Sequence, residues 1–284
     1  MTRFWLGDRL VEPDAAKVSV LDHGFTVGDG VFETILVRGG VAFALSRHLD
    51  RLRRSLSGMG LAGPAPSLVR EAVDAVLASA ATADGLELGR LRITVTSGEG
   101  PIGSVRGPYA ATLVVALAPM VAPEPTAVIA TVPWVRNERS PIAGVKSTSY
   151  AENAVALASA RSRGASEAVL ANTVGSLCEG TGSNVFVVVD GEVLTPPLTS
   201  GALNGVTRQL VLEWCGGVVP LREETLGYDV LHTADEVFLT SSTRDVQPVV
   251  QLVDPERGRA LPAGPVTAQV AAQFAARAAS QPDP

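Results

Sequence analysis

Lysine is nearly missing from this 284-residue chain: 21 of the 23 basic residues are arginine, and only Lys17 and Lys146 remain, although lysine is ordinarily among the commonest residues. Arginine serves wherever a fixed cation suffices, but a guanidinium does not give up its proton, whereas a desolvated ammonium becomes a nucleophilic amine. Each lysine is therefore a candidate for chemistry. Cysteine is equally scarce. Cys178 and Cys215 form no C-x-x-C pair, which argues against a disulfide framework or thiolate metal cluster and fits a reducing cytoplasm. The three histidines, His23, His48 and His232, lie apart and give no zinc motif. A long hydrophobic run is missing too: the most apolar stretch, Ala110 to Ala118, stops at Pro119 at about half the length a bilayer crossing needs, so it reads as a buried strand. Residues 1–9 have no apolar core of a secretory leader. A net charge of −6 without a basic run lacks the footprint of a nucleic-acid binder. G-x-S-x-G, H-E-x-x-H and an S-x-x-K motif on Lys146 are all absent, which removes the common hydrolase signatures.

What is present is a mixed α/β pattern long enough for two modest domains at 46% hydrophobic content. Val31 to Val37 and Val41 to Leu45 read as strands joined by Arg38-Gly39-Gly40. Ser46 is placed to cap a helix whose stripe is Leu49, Leu52, Leu56 and Met59, and a second helix runs from Ser67 to about Ala80. Leu91, Ile93 and Val95 alternate with Arg92, Thr94 and Thr96, a strand with one polar face. Three prolines within 118–125 mark a linker, dividing the chain into 1–118, 119–125 and 126–284. Beyond it come a strand near Ala127, a helix after Lys146 with Ser147, Thr148 and Ser149 as possible caps, short strands between Ala168 and Leu194, and a helix opened by Asn204-Gly205-Val206-Thr207. Strands at Glu236 to Thr240 and Val246 to Leu252, a helix from Pro265, and a disordered tail from Gln281 complete the reading.

Several residues can carry chemistry. Lys146, ahead of a helix start, is either a solvated loop lysine or an amine kept available by the helix dipole. Glu179, in an apolar and Gly-rich segment, is either an exposed hairpin acid or a buried one that needs a cation, for which a pyridinium nitrogen would serve. Gly205, Val206 and Thr207 offer N–H groups at a helix start, Ser241 and Ser242 follow a strand, and Arg51 can add a bidentate cation; together they could hold a phosphate. Gly180-Thr181-Gly182 lacks the third glycine and the helix of a dinucleotide fingerprint.

In order along the chain, Asp22-His23-Gly24-Phe25, Gly28-Asp29-Gly30-Val31-Phe32-Glu33-Thr34, His48 with Arg51-Leu52, Lys146-Ser147, Glu179 with Ser183-Asn184-Val185-Phe186, Thr195-Pro196-Pro197, Gly205-Val206-Thr207-Arg208 and Leu239-Thr240-Ser241-Ser242 resemble the motif series of class IV aminotransferases. That family holds branched-chain and D-amino acid aminotransferases and aminodeoxychorismate lyases. The resemblance implies fold type IV, with a small α/β domain and a larger β-barrel-like α/β domain, paired as a homodimer. It implies pyridoxal 5′-phosphate as cofactor, with Lys146 as the Schiff-base lysine and proton shuttle, Glu179 on the pyridine nitrogen, and Tyr150 on the phenolic oxygen. Arg51, Gly205, Val206, Thr207, Ser241 and Ser242 would form the phosphate cup. Small-molecule amino acids and 2-oxo acids would be the substrates, with Glu33 and Arg92 on the substrate side. For the substrate carboxylate Arg92 comes first, ahead of Arg38, Arg106 and Arg136; otherwise it is a surface strand arginine. Ser97, Glu99, Ile102 and Thr34-Ile35-Leu36 match no subgroup's full recognition set. Transamination of a D-amino, branched-chain or other apolar amino acid leads, with pyruvate elimination by a lyase as the alternative.

Overall fold

A computed structural model of the chain describes residues 2–81 and 86–284. It divides into two compact units, Met1–Ala122 with Val145–Tyr150 and Pro282–Pro284, and Pro123–Gly144 with Ala151–Gln281. The linear division at the prolines therefore needs two amendments. The segment carrying Lys146 and the last three residues both return to the first unit.

The first unit contains, in chain order, β1 (Arg3–Leu6), β2 (Arg9–Val11), α1 (His23–Thr26), β3 (Gly30–Arg38), β4 (Val41–Ala42), α2 (Leu45–Gly58), α3 (Pro66–Ala81), β5 (Leu88–Thr96) and β6 (Thr112–Pro119). Its strands form one antiparallel sheet in the order β2-β1-β6-β5-β3-β4. Alternation in β5 works as its period demands. Leu91, Ile93 and Val95 join Val31, Ile35 and Val37 in a core closed by Leu52 and Leu56 of α2 and Val69, Val73 and Val76 of α3, each large side chain contributing about 1.5–3 kcal/mol by burial. Arg92 and Thr94 take the opposite face.

The strand expected over Val41 to Leu45 stops at Ala42, because Ala44 adopts φ 53° and turns the chain into α2. Ser46 does not cap that helix. The Asp283 carboxylate does, accepting from Ser46 N at 2.8 Å and Ser46 Oγ at 2.7 Å. Pro282 O accepts from Ala44 N at 2.7 Å, and Pro284 O from Arg47 Nε at 3.0 Å. These bonds order the tail that composition alone marks as disordered.

The second unit contains β7 (Ala127–Arg136), α4 (Ala151–Ser162), β8 (Glu167–Asn172), β9 (Leu177–Gly180), β10 (Asn184–Val189), β11 (Glu192–Thr195), α5 (Val206–Cys215), β12 (Leu221–Glu223), β13 (Glu236–Ser241), β14 (Asp245–Val253), β15 (Arg259–Ala260) and α6 (Pro265–Ser280). Its sheet runs β12-β11-β10-β13-β14-β7-β8-β9, with β15 on β14. β7 pairs in parallel with β14 and β8. The turn between β10 and β11 uses positive φ at both Asp190 and Gly191, the geometry that Asp-Gly favours. Phe186 and Phe238 face each other across β10 and β13 and stack at 4.8 Å. Among the described residues no helix is long and apolar enough to cross a membrane.

Removing a helix cap costs about 1 kcal/mol. Asp283→Ala should therefore lower unfolding stability by about that amount in a urea titration, and an unchanged midpoint would refute the capping role of the tail.

Candidate active site

Glu33 pairs with Ile93 across β3 and β5, so its carboxylate lies on the apolar, helix-covered face and is fully buried. Such a charge must be paired. α2 supplies the partners one turn apart: Arg51 donates from Nε to Oε1 at 2.8 Å and from Nη2 to Oε2 at 2.7 Å, and His48 Nδ1 lies 2.7 Å from Oε2. Burial alone would raise the pKa of Glu33; the Arg51 charge and the hydrogen bonds from Arg51 and His48 outweigh it and bring it down to about 2. Burial also holds His48 below the ordinary histidine value, with Arg51 and Lys146 adding to that and Glu33 opposing it.

The next turn of α2 presents Ser55, whose Oγ accepts from Lys146 N at 3.3 Å. Lys146 O in turn accepts from Phe32 N at 2.9 Å. Ser147 bridges Val31, and Thr148 N donates to Gly30 O at 2.8 Å. The segment is thus stapled to the edge of β3. The hydroxyls of Thr148 and Ser149 are not helix caps: both donate to Gly28 O, at 2.8 and 3.0 Å, and α4 begins only at Ala151. Gly28 has φ +70°, and a Cβ there would press on Ser149, so glycine permits the close approach. Lys146 Nζ lies 4.4 Å from the centroid of Phe32 and 6.0 Å from that of Tyr150, and Tyr150 meets Phe32 edge-on. Arg92 lays its guanidinium over the same Phe32 ring at 3.9 Å, steadied by Thr94 Oγ1 at 3.1 Å. Burial against the ring lowers the Arg92 pKa while its outer edge stays in solvent, and Tyr150 opposes the shift.

In the second unit, Glu179 lies just past an irregularity in the pairing of β9 with β8. Its Oε2 accepts from Leu203 N at 2.9 Å and its Oε1 lies 3.3 Å from Arg136 Nε. Of the two readings of this acid the buried one holds, with a cation beside it. The Leu203 loop runs into α5 through Gly205, where a Cβ would collide with Asn184 Oδ1. No side chain caps α5 at Gly205, so its first N–H groups keep the anion-binding character of a helix start. Asn184 pairs with Thr240, and the hydroxyls of Thr240 and Ser241 are buried without a hydrogen-bond partner. A helix start beside orphaned hydroxyls fits a phosphate, and an acid anchored at the same loop fits a ring nitrogen.

Arg106 and Arg136 are committed elsewhere. Arg106 grips Asp29 through Nε and Nη2, both at 2.7 Å, and Arg136 faces Glu179. Glu33, expected on the substrate side, is instead fully buried with both oxygens engaged by Arg51 and His48. Burial pushes the Cys178 thiol up to about 12 and Cys215 to about 11, which leaves neither as a nucleophile. Phe32, Ser55, Asn153 and the partnership of Arg136 with Glu179 carry no signal in sequence spacing, since each depends on a residue far along the chain.

Lys146, Phe32 and Arg92 thus lie within the first unit, and the helix start, the orphaned hydroxyls and Glu179 within the second. The chain belongs to the class IV aminotransferase family, whose model matches residues 30–252. It is 31% identical to the D-alanine aminotransferase of Staphylococcus haemolyticus over 286 residues, 96% of this chain and 97% of that one. The branched-chain aminotransferase of Thermoproteus uzoniensis, crystallised with norvaline, superposes with a TM-score of 0.87 at 30% identity, covering 96% of this chain and 93% of that one. A hypothetical aminotransferase of Mycobacterium tuberculosis in its PLP-bound form gives 0.85 at 27% identity, covering 98% and 99%. This chain is a pyridoxal-phosphate-dependent aminotransferase, an enzyme of amino acids and keto acids. Each of these relatives is named an aminotransferase, which favours transamination over the lyase reaction.

The charge cluster sets an acid limit on stability. His48 is held below its ordinary 6.5, so the unfolded chain takes up that proton first and stability falls as pH drops below 6.5. Glu33, lowered from 4.5 to about 2, contributes fully above pH 4.5 and loses its contribution as pH falls toward 2. His48→Asn should flatten the upper part of the stability profile and leave the lower part; an unaltered slope just below pH 6.5 in urea titrations would count against the assignment. Glu33→Gln, which strands Arg51, should cost about 3–5 kcal/mol.

Proposed function

We propose that this enzyme transfers the amino group of a small or apolar amino acid to a 2-oxo acid, with Lys146 as its catalytic lysine. The cofactor supplies an aldehyde carbon and an electron-withdrawing ring that stabilises charge at the substrate's α-carbon. Lys146 would hold the aldehyde through its side-chain amine and would carry a proton to and from the substrate's α-carbon. Glu179 would pair with the pyridine nitrogen, and Tyr150 would contact the phenolic oxygen. Gly205, Val206 and Thr207 at the start of α5, with Ser241, Ser242 and Arg51, would hold the phosphate, and Glu33 fixes Arg51.

The observation that carries this reading is the Phe32 ring, which gathers the Lys146 amine at 4.4 Å and the Arg92 guanidinium at 3.9 Å. A transaminase needs that combination, an amine for the α-carbon and a cation for the α-carboxylate beside an apolar wall. Arg92 is the carboxylate clamp, and Phe32 with Tyr150 favours substrates whose side chains are small or apolar. The relatives' names add D-alanine and branched-chain substrates as the two to test first.

We also propose a cytoplasmic homodimer. Free buried thiols support the compartment. The exposed apolar side chains Val20, Phe25, Ile102, Val105 and Tyr109 support the pairing; light scattering at the mass of a monomer would sink it.

Purified enzyme should show a visible-range band that D-alanine or L-leucine bleaches, while aminodeoxychorismate without a keto acid yields no pyruvate. Lys146→Ala should lose that band and at least about a thousandfold in kcat. Retention of full turnover would falsify the proposal. Arg92→Leu should raise KM for the amino acid about ten- to hundredfold, the value of a charged hydrogen-bonding partner, with a smaller change in kcat.

A further inference from the structure

Two β-bulges converge on one ion pair in the second unit. Thr131 pairs with Val169 and Val135 with Ala171, so β7 takes four steps where β8 takes two, and Pro133, which has no N–H to give a ladder, lies in the excess. Leu170 pairs with Glu179 and Ala171 with Leu177, which leaves Cys178 as the extra residue of β9. Bulges re-aim neighbouring side chains and are retained as designed features. Here those side chains are Arg136 and Glu179, with Arg136 Nε 3.3 Å from Glu179 Oε1.

The far side of the guanidinium is fixed as well. Arg136 Nη1 donates to Asn153 Oδ1 at 3.1 Å, and Asn153 Nδ2 donates to Thr181 O at 2.5 Å. Thr181 N donates to Glu167 Oε1 at 3.0 Å, and Glu167 Oε2 accepts from Arg244 Nη1 at 2.8 Å, in the turn that follows Ser241 and Ser242. Arg136 Nε is buried with no aligned hydrogen-bond acceptor. Its contact with Glu179 is therefore an ion pair by proximity, with the angle set by Asn153 rather than by Glu179. A network satisfied on one side and electrostatic on the other is suited to imposing charge and position on the carboxylate.

We infer that Arg136 is a positioning residue acting through Glu179: its guanidinium fixes the place and the charge balance of the carboxylate, and so sets the proton affinity of the bound cofactor. The inference rests on the assignment of Glu179 to the pyridine nitrogen. A cation lowers the proton affinity of every titrating group near it, and its removal raises them.

The test is a pH titration of the visible absorption band of the holoenzyme. Arg136→Gln should move the apparent midpoint upward by about one pH unit, the effect of one charge a few ångströms away in a partly screened interior, and weaken cofactor retention about tenfold. Arg136→Lys, which keeps the charge, should return the midpoint to that of the unaltered enzyme. Should Arg136→Gln fail to fold, Asn153→Asp, which draws the guanidinium toward a second carboxylate, is read in the same titration and should move the midpoint the same way. A midpoint that stays put in a cofactor-holding variant, or that moves equally in Arg136→Lys and Arg136→Gln, overturns the inference. Borohydride reduction of the unaltered holoenzyme separates this failure from that of the functional reading: without label on the peptide carrying Lys146, it is the latter that falls.

Discussion

A carboxylate buried on the helix side of a strand governs the first unit. Glu33 has no solvent exposure, and an isolated charge there would be intolerable, so α2 must lie where Arg51 and His48 reach it. That demand fixes the helix about its axis, because the two residues lie one turn apart on the same stripe as Leu52 and Leu56. Ser55 is carried one turn further to the backbone of Lys146. The ion pair is thus weak evidence for stability in itself and strong evidence for register: it tells α2 which face to bury and thereby where the amine-bearing segment is held.

The segment bearing Lys146 shows why a linear domain division misleads. Its backbone behaves as an added edge of β3, bonded to Gly30, Val31 and Phe32, although it follows the proline-rich linker. A short loop would leave the lysine to fluctuate. Stapling its flanks restricts the amine to side-chain rotation over Phe32, and a pre-organised amine loses less entropy when it reacts. Gly28 makes that docking possible by letting Ser149 approach its backbone. The second unit holds the helix start of α5, the orphaned hydroxyls and Glu179.

Local signals carried much of this into the sequence. The alternation of β5, the Asp190-Gly191 turn and the glycine before α5 each follow from a period or a backbone preference that acts over a few residues, and the scarcity of lysine narrowed the candidate amines to Lys17 and Lys146. What was illegible depends on distant partners. Asp283 caps α2 across most of the chain length, and nothing near Ser46 announces it. Composition made the tail look disordered because four residues rich in proline cannot bury a core, yet hydrogen bonds to a strained helix start hold it. Glu33 stood in a recognisable motif, but its burial follows from its pairing opposite Ile93, a fact of register. The hydroxyls after Lys146 looked like caps because Ser and Thr favour that position, and Gly28 O outcompeted the helix.

The arginine-for-lysine bias becomes intelligible once the cations are placed. Arg51 spans both oxygens of Glu33, and Arg106 both oxygens of Asp29, holding that carboxyl below its usual range. Planar, two-pronged contacts of this kind suit a guanidinium and would be halved by an ammonium. Arg92 sets its guanidinium over Phe32, 3.9 Å from the ring centroid, a contact that favours a delocalised cation. In the role proposed for Lys146 the requirement reverses, because a permanent cation over the same ring could neither bind an aldehyde nor carry a proton. One aromatic ring therefore faces two cations that cannot be exchanged, the one valued for never releasing its proton and the other for being able to.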